Sequence, residues 1–370
     1  MIYKKFGNTG YDVSAVGFGG MRFDMKQPLS ESAKLIPYAF DRGINFFDTA
    51  PGYCDDKSEE IFGLGLEQIS APREDYYLCT KLMPHKGTNI KDVRKSVETS
   101  LKRLKTDYID FFYVWCVRSQ KQFDEAMIPG GLYESLQTLK EEGLIRHINI
   151  STHLIGNRVS DILAAADFDG VLLGVNILNF PYRWDGVKYA HDKGLGVVAM
   201  NPVAGGLIPQ NEERFAFLAN EGETPTEAAL RFIMSCPEIT VALNGFTTRE
   251  HIDTAAGVAD NCKPFSKGDL EAIKSHLSEN LDGLCTMCGY CRQSCPKGIL
   301  IPAYMQFFNE YLISDDKDAD WKEKFDTCCQ WGYLVERGAE ASECIKCGKC
   351  EEVCTQHLPI IERLETIANW

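Results

Sequence analysis

The sequence predicts an α/β fold: a (β/α)8 TIM barrel with an N-terminal β-hairpin, followed by a small, mostly helical domain organised by cysteines. Three observations lead there. Between Val16 and Val258, eight short apolar runs alternate with longer amphipathic segments. Each short run is nearly continuous in apolar residues, as buried parallel strands are, where half-exposed strands would alternate. Beyond them, two cysteine runs repeat one spacing.

Taken in order, Ile2–Phe6 and Tyr11–Val13 flank Gly7-Asn8-Thr9-Gly10, a turn sequence that reads as a hairpin capping the barrel floor. Strand–helix pairs follow at Val16–Gly19 with Glu31–Arg42, Asn45–Asp48 with Ser58–Gln68, Tyr77–Thr80 with Ile90–Leu104, and Ile109–Trp115 with Leu132–Glu142. The second half repeats the pattern at His147–Ser151 with Val159–Ala166, Val171–Val175 with Gly186–Lys193, Gly196–Met200 with Thr226–Met234, and Thr240–Leu243 with Arg249–Val258. A doubly wound open sheet is the other arrangement such a pattern allows. Asn261–Lys267, polar and carrying Pro264, reads as a linker, which places the barrel at 1–265 and the second domain at 266–370. In that domain Gly268–Leu281, Ile301–Ile313 and Trp321–Glu336 have helical periodicity, and the acidic Asp315–Asp320 reads as a solvated loop.

The cysteine runs are Cys285, Cys288, Cys291 and Cys295, then Cys344, Cys347, Cys350 and Cys354. Both read C-x2-C-x2-C-x3-C, and Pro296 follows the first. This is the spacing with which two-cluster bacterial ferredoxins hold cubane iron–sulfur centres, the fourth cysteine of each run serving the other cluster. The expected ligand sets for two [4Fe-4S] clusters are therefore Cys285, Cys288 and Cys291 with Cys354, and Cys344, Cys347 and Cys350 with Cys295. Structural zinc would leave cysteines over from each run. A disulfide framework is disfavoured, because the opening MIYKKFGNTG lacks an apolar leader core and points to the reducing cytoplasm.

Composition narrows the function. The 370 residues, 44% of them hydrophobic, suffice for a large core beside a small appended module. A formal net charge of −14 provides no basic footprint for nucleic acid or an anionic membrane, and no apolar run is long enough to span a bilayer. A small-molecule substrate or a redox protein is the expected partner.

Chemistry in such a barrel sits at the C-terminal strand ends. Asp48 ends the second strand, Tyr53 lies just beyond it, and Lys81 ends the third. An ammonium beside a phenol favours the phenolate and brings proton transfer toward neutrality, with Asp48 holding the lysine charged and in place. From spacing alone, a structural Asp–Lys pair beside a rim tyrosine is an equal reading.

These residues carry a resemblance. Phe6-Gly7-Asn8-Thr9-Gly10, Gly17-Phe18-Gly19-Gly20, the Asp48–Tyr53 stretch, Ser58-Glu59 with Gly63, Thr80-Lys81, Asp107-Tyr108-Ile109-Asp110, Ser151-Thr152-His153 and Met200-Asn201-Pro202 with Gly205-Gly206 are similar to the aldo-keto reductases. With ECIKCGKCEEVCTQHLP at Glu343–Pro359, the chain resembles the bacterial subgroup that carries a C-terminal ferredoxin-like domain. The resemblance implies carbonyl reduction with NADP(H) or NAD(H). It makes Asp48, Tyr53 and Lys81 three members of the family's catalytic tetrad, with Tyr53 the proton donor. The fourth member, a histidine, falls on Trp115; His85 and His153 are the candidates to replace it.

By the same resemblance the nucleotide is contacted by Gly20, Met21, Asp48, Ser151, Thr152, Met200, Asn201, Val203, Gly205, Gly245 and Arg249. Helix N-terminal amides after Gly245 suit a phosphate, and Arg249 suits a 2′-phosphate, which favours NADP(H). Thr152, Leu172 and Ala255 stand where the family has an asparagine, a glutamine and an asparagine.

Two functions remain open at this stage. In the first, a reductase uses Tyr53 as donor to a carbonyl or activated C=C bond while the clusters relay single electrons with a ferredoxin-like partner. Hydride carries two electrons and a cluster one, and no flavin motif connects them. In the second, the barrel has lost nicotinamide chemistry and serves as an electron-transfer or structural subunit, or as an isomerase or lyase using Tyr53, Lys81 and Asp48. Among the other cysteines, Cys54 and Cys116 are expected near the barrel mouth.

Overall fold

The structure is a computed structural model that describes all residues except 119, 155–156, 281–282, 286–288, 314–317, 332–333 and 335–336. The chain divides into two compact units, Met1–Val203 with Leu218–Phe265, and Ala204–Phe217 with Ser266–Trp370.

The first unit opens with an antiparallel hairpin, β1 (Tyr3–Lys5) and β2 (Asp12–Ser14). Eight parallel strands then close a barrel: β3 (Val16–Gly19), β4 (Phe46–Asp48), β5 (Tyr77–Leu82), β6 (Ile109–Val117), β7 (Ile145–Thr152), β8 (Gly170–Gly174), β9 (Gly196–Met200) and β10 (Val241–Gly245). Each pairs with its neighbours in chain order and β10 returns to β3, so no edge is left unpaired. Several strands are buried along their whole length, as their unbroken apolar runs require.

The hairpin closes the barrel floor through one side chain. Phe6 is fully buried with its ring 4.1 Å from that of Phe111. A Cβ at Gly170 or Gly196 would lie within 2.6 Å of that ring, so glycine opens β8 and β9 because the plug needs the space. Lys4 fastens the hairpin from outside, its Nζ donating to the carbonyls of Met234, Cys236 and Ile239 at 2.9, 2.8 and 2.6 Å.

Helices cover the barrel, among them Ser58–Leu66, Ile90–Leu104, Leu132–Glu141, Phe180–Asp192, Pro225–Ser235 and Arg249–Asp260. The segment expected as one helix over Glu31–Arg42 is two, Leu29–Ala33 and Leu35–Asp41. Between β6 and the helix Leu132–Glu141, where the sequence pattern placed no element, lies the helix Gln120–Ala126, which buries Phe123 and Ala126. Phe180–Asp192 starts earlier than periodicity suggested, with a proline in its first turn.

The second unit includes the excursion Ala204–Phe217 together with Ser266–Trp370. Its core is aromatic: Phe307, Phe308 and Tyr311 of the helix Ile301–Ile313 pack with Trp321 and Trp370 at centroid separations of 5.2 to 6.2 Å. Both cysteine runs share a local geometry. Gly289 and Gly348 take φ of 80° and 76°, a left-handed conformation that glycine adopts at little cost, and each opens a short helical turn, Tyr290–Gln293 and Lys349–Glu352. Among the described residues, no helix is long and apolar enough to cross a membrane.

Candidate functional site

The C-terminal strand ends of the first unit bring four predicted residues together. Asp48 ends β4 and Lys81 lies near the end of β5, both buried, and Lys81 Nζ donates to the two Asp48 carboxylate oxygens at 2.6 and 2.7 Å. The same ammonium lies 5.5 Å from the ring centroid of Tyr53 and 5.4 Å from that of Tyr113. Trp115 meets Tyr53 edge to face, centroids 5.6 Å apart and planes at 84°. Trp115 reaches that place from a β-bulge: the β6–β7 register shifts between Val114 and Val117, and Cys116 takes φ of 59°. Bulges beside sites re-aim side chains in this way.

The charge state of this cluster differs from the sequence expectation. Lys81 was expected to make Tyr53 more acidic, yet the Tyr53 phenol is raised well above its ordinary value. Burial is the main cause, and the Asp48 carboxylate adds to it. The ammonium is already neutralised by two carboxylate oxygens, which leaves little attraction for a phenolate. Arg22, in the loop after β3, opposes the shift, as a cation should. Asp48 is itself raised by burial against the pull of Lys81. Tyr53 is therefore a phenol across the neutral range, suited to give a proton to a developing oxyanion and unsuited to act as a standing base.

Neither candidate histidine joins the cluster through any contact seen among the described residues. His85 is exposed, its Nδ1 3.4 Å from the Lys86 carbonyl. His153 is buried beyond β7, and burial with the neighbouring Arg183 and Arg118 lowers it to about 3, so it is neutral at physiological pH. Cys54 and Cys116 lie near enough to raise the Tyr53 phenol further. Cys54 donates its thiol to the Gly20 carbonyl at 3.4 Å, and burial keeps it protonated.

The expected nucleotide contacts distribute unevenly. Gly20 donates its N–H to the Asp48 carbonyl at 2.8 Å, and Met21 beside it is exposed. Ser151 is buried at the end of β7, paired in register with Leu172. The Thr152 hydroxyl is committed to the backbone, donating to Val117 O at 2.9 Å and accepting from the Leu154 N–H at 3.1 Å. Met200, at the end of β9, packs against the barrel interior. Asn201 takes φ of 58° while its carbonyl accepts from Asn176 Nδ2 at 3.1 Å; Val203 ends that stretch of the first unit, and Gly205 belongs to the second. Gly245 ends β10, and Arg249, exposed, stacks 4.7 Å over the Tyr38 ring. The first-turn amides of Arg249–Asp260 are partly taken: Thr248 Oγ1 accepts from the His251 N–H, and Glu250 folds back onto its own backbone. Ala255 is buried on that helix.

In the second unit, Cys295, Cys344, Cys347 and Cys350 line one cavity, walled by Ile299, Ile301, Ile345, Ile361 and Leu364. Cysteines from two distant runs thus line one apolar space, the same four that form one of the expected crossed ligand sets. Of the other set, Cys285, Cys291 and Cys354 are buried in a common apolar cluster, and Cys288 lies outside the described residues. Cys354 Sγ accepts the Leu358 N–H at 3.4 Å. Cys285 is held by a residue that sequence reasoning missed: Asn309 accepts the Cys285 N–H and donates to its carbonyl, both at 2.7 Å.

Residues 15–278 match the model of the Aldo/keto reductase family, and 284–358 that of the 4Fe-4S dicluster domain. The chain belongs to the aldo-keto reductase family. Among aldo-keto reductase relatives, it is 32% identical to L-galactose dehydrogenase of Arabidopsis thaliana over 278 residues, covering 68% of this chain and 85% of that one. It is 25% identical to an uncharacterized oxidoreductase of Bacillus subtilis, covering 76% and 98%. Among solved structures, an aldo-keto reductase from Bacillus halodurans in its holo form superposes with a TM-score of 0.63 at 22% identity, covering 74% and 96%, which shows the shared barrel fold. An aldo-keto reductase barrel followed by an iron–sulfur domain is thus the organisation of this oxidoreductase.

Proposed function

We propose that the barrel reduces a carbonyl or activated C=C bond with NADP(H) or NAD(H), with Tyr53 as the proton donor. The observation that carries this reading is the buried Lys81–Asp48 pair set against the face of a protonated Tyr53. A bound nicotinamide supplies the hydride. The chain's own part is to hold the acceptor oxygen near the Tyr53 hydroxyl and release a proton as negative charge builds there. Lys81 lies over the Tyr53 ring with Asp48 bound to it, and this buried ion pair holds the phenol in place for proton transfer. Trp115 stands where the family's histidine is expected. An indole on the edge of Tyr53 offers a flat apolar wall in place of a second hydrogen-bond donor, which favours substrates with an apolar or aromatic face.

The two cysteine sets hold two [4Fe-4S] clusters that exchange single electrons with a ferredoxin-like partner. Anaerobic titration of the cluster-replete protein with NADPH and NADH, following nicotinamide fluorescence and cluster absorption together, tests the reading. Binding supports it, and bleaching of the clusters joins both units in one redox path. Absence of binding refutes nicotinamide chemistry. A second reading, proton transfer without nicotinamide as in an isomerase or lyase, draws on the committed Thr152 hydroxyl and the indole beside Tyr53. Nicotinamide-independent turnover that requires Tyr53 would support it.

A further inference from the structure

The residues around Tyr53 include a tie that the family resemblance did not assign. Tyr53 sits on a turn in which Cys54, Asp55 and Asp56 take φ of 52°, 53° and 64°. Three successive non-glycine residues in the left-handed region are costly, and they persist only where their surroundings hold them. The hold is visible. Asp56 Oδ1 accepts the Gly52 N–H at 2.8 Å, which closes the turn around Tyr53. Arg103, on the helix Ile90–Leu104, donates to both Asp56 oxygens, Nη1 at 3.0 Å and Nη2 at 2.7 Å, a two-point geometry that fixes orientation as well as distance.

The same guanidinium reaches inward. Arg103 Nη1 also donates to Glu59 Oε2 at 3.2 Å, and Glu59 is buried. The other Glu59 oxygen accepts from the Thr80 hydroxyl at 2.8 Å, and Thr80 precedes Lys81 on β5. One arginine thus reaches the turn that carries Tyr53 through Asp56, and the strand that carries Lys81 through Glu59 and Thr80. The two helices that bear these groups are in close backbone contact: a Cβ at Gly63 would fall 2.0 Å from the Arg103 carbonyl oxygen, so glycine is required where the helices cross.

We propose that Arg103 is a positioning residue that, through Asp56 and Glu59, sets the separation of the Tyr53 hydroxyl from Lys81. This rests on the catalytic reading above. It assigns a role to a residue that acts through Asp56 and Glu59, its effect passing through the strained turn. Without the fork on Asp56, the turn relaxes toward right-handed conformations and the Tyr53 ring swings toward water.

The test uses the full chain with its clusters. Arg103→Lys keeps a cation for the buried Glu59 while losing the two-point fork, and Asp56→Asn removes the charge from a half-exposed position without burying anything. Tyrosine labelled at the ring carbon bearing oxygen reports the Tyr53 titration by NMR, assigned with Tyr53→Phe. In wild type the Tyr53 resonance titrates above the usual phenol range, and in both variants it moves down by about one pH unit or more as the ring gains solvent. The double variant moves no further than the singles, because both remove one tie. With nicotinamide and a carbonyl substrate, kcat falls by about tenfold to a hundredfold while KM for the nucleotide is unchanged. A wild-type Tyr53 titration in both single variants overturns the proposal, as does a thermal midpoint loss with an unmoved titration, which would mark a purely structural ion pair. Wild-type protein without nicotinamide turnover would refute the catalytic reading alone, and the NMR titration would still decide the tie. Should Arg103→Lys fail to fold, Asp56→Asn carries the same prediction.

Discussion

Replacing Lys81 with methionine isolates the charge that the site depends on. Lys81 and Asp48 are both almost wholly buried, and the ammonium contacts both carboxylate oxygens. Methionine fills similar space and leaves a carboxylate with no cation in a low-dielectric interior, a change worth about 3–5 kcal/mol. A barrel of this size shifts its midpoint by about 2–4 °C per kcal/mol, so the barrel transition should fall by roughly 6–20 °C near pH 7.5. The loss depends on pH with a definite sign. Burial already raises Asp48 above its unfolded value, and removing Lys81 takes away the opposing attraction and raises it further. A carboxyl with a raised folded pKa destabilises the fold as pH climbs through that pKa, and the penalty lifts as pH falls toward the unfolded value. The midpoint deficit of Lys81→Met should therefore be clearly smaller at pH 5.5 than at pH 8, and Lys81→Met with Asp48→Asn should recover most of it. Differential scanning calorimetry across that range checks both. A deficit under about 2 °C, or one that does not change with pH, would refute the reasoning, since either would mean that the pair carries no net burden of buried charge.

Other consequences follow from the same geometry. Cys350→Ala should lose iron from the cavity shared with Cys295, Cys344 and Cys347 while the barrel transition stays in place; full iron content by chemical analysis would contradict the ligand set. His153, neutral and lowered to about 3 in the folded barrel, binds its proton more readily when unfolded, so its contribution is complete above the ordinary histidine range and is lost as pH falls. By pH 4 that loss is on the order of 3 kcal/mol, and His153→Asn should flatten the stability-against-pH curve between pH 6.5 and 4; an unchanged slope would sink the assignment. Lys4→Met leaves three carbonyls without their shared donor and should cost about 1–3 kcal/mol in denaturant unfolding, without altering the active-site cluster.

Much of the fold was legible because the barrel repeats one physical pattern. Val16–Gly19, Ile90–Leu104, Gly196–Met200 and Ile301–Ile313 fall where apolar runs or helical periodicity put them. The helix Gln120–Ala126 was missed because its sequence is mostly polar and only Phe123 and Ala126 turn inward. Asp48, Tyr53, Lys81 and Trp115 were locatable from their places at strand ends, whereas the acidity of Tyr53 was not. That property depends on how much of the Lys81 charge Asp48 absorbs and on how far the ring is buried, both matters of three-dimensional packing. Arg103 and Asn309 were invisible for a related reason: their partners lie 47 and 24 residues away, and no spacing rule links them.

The central claim is that the barrel transfers hydride to a carbonyl while Tyr53 gives the proton. The most direct test incubates cluster-replete protein with NADPH or NADH deuterated at the hydride-donating carbon and a panel of aldehydes and ketones, followed by mass spectrometry of the alcohols. The account predicts deuterium on the carbinol carbon with wild type, and a loss of about a hundredfold or more with Tyr53→Phe although the nucleotide still binds. No deuterium from wild type on any member of the panel, or undiminished transfer by Tyr53→Phe, would contradict it.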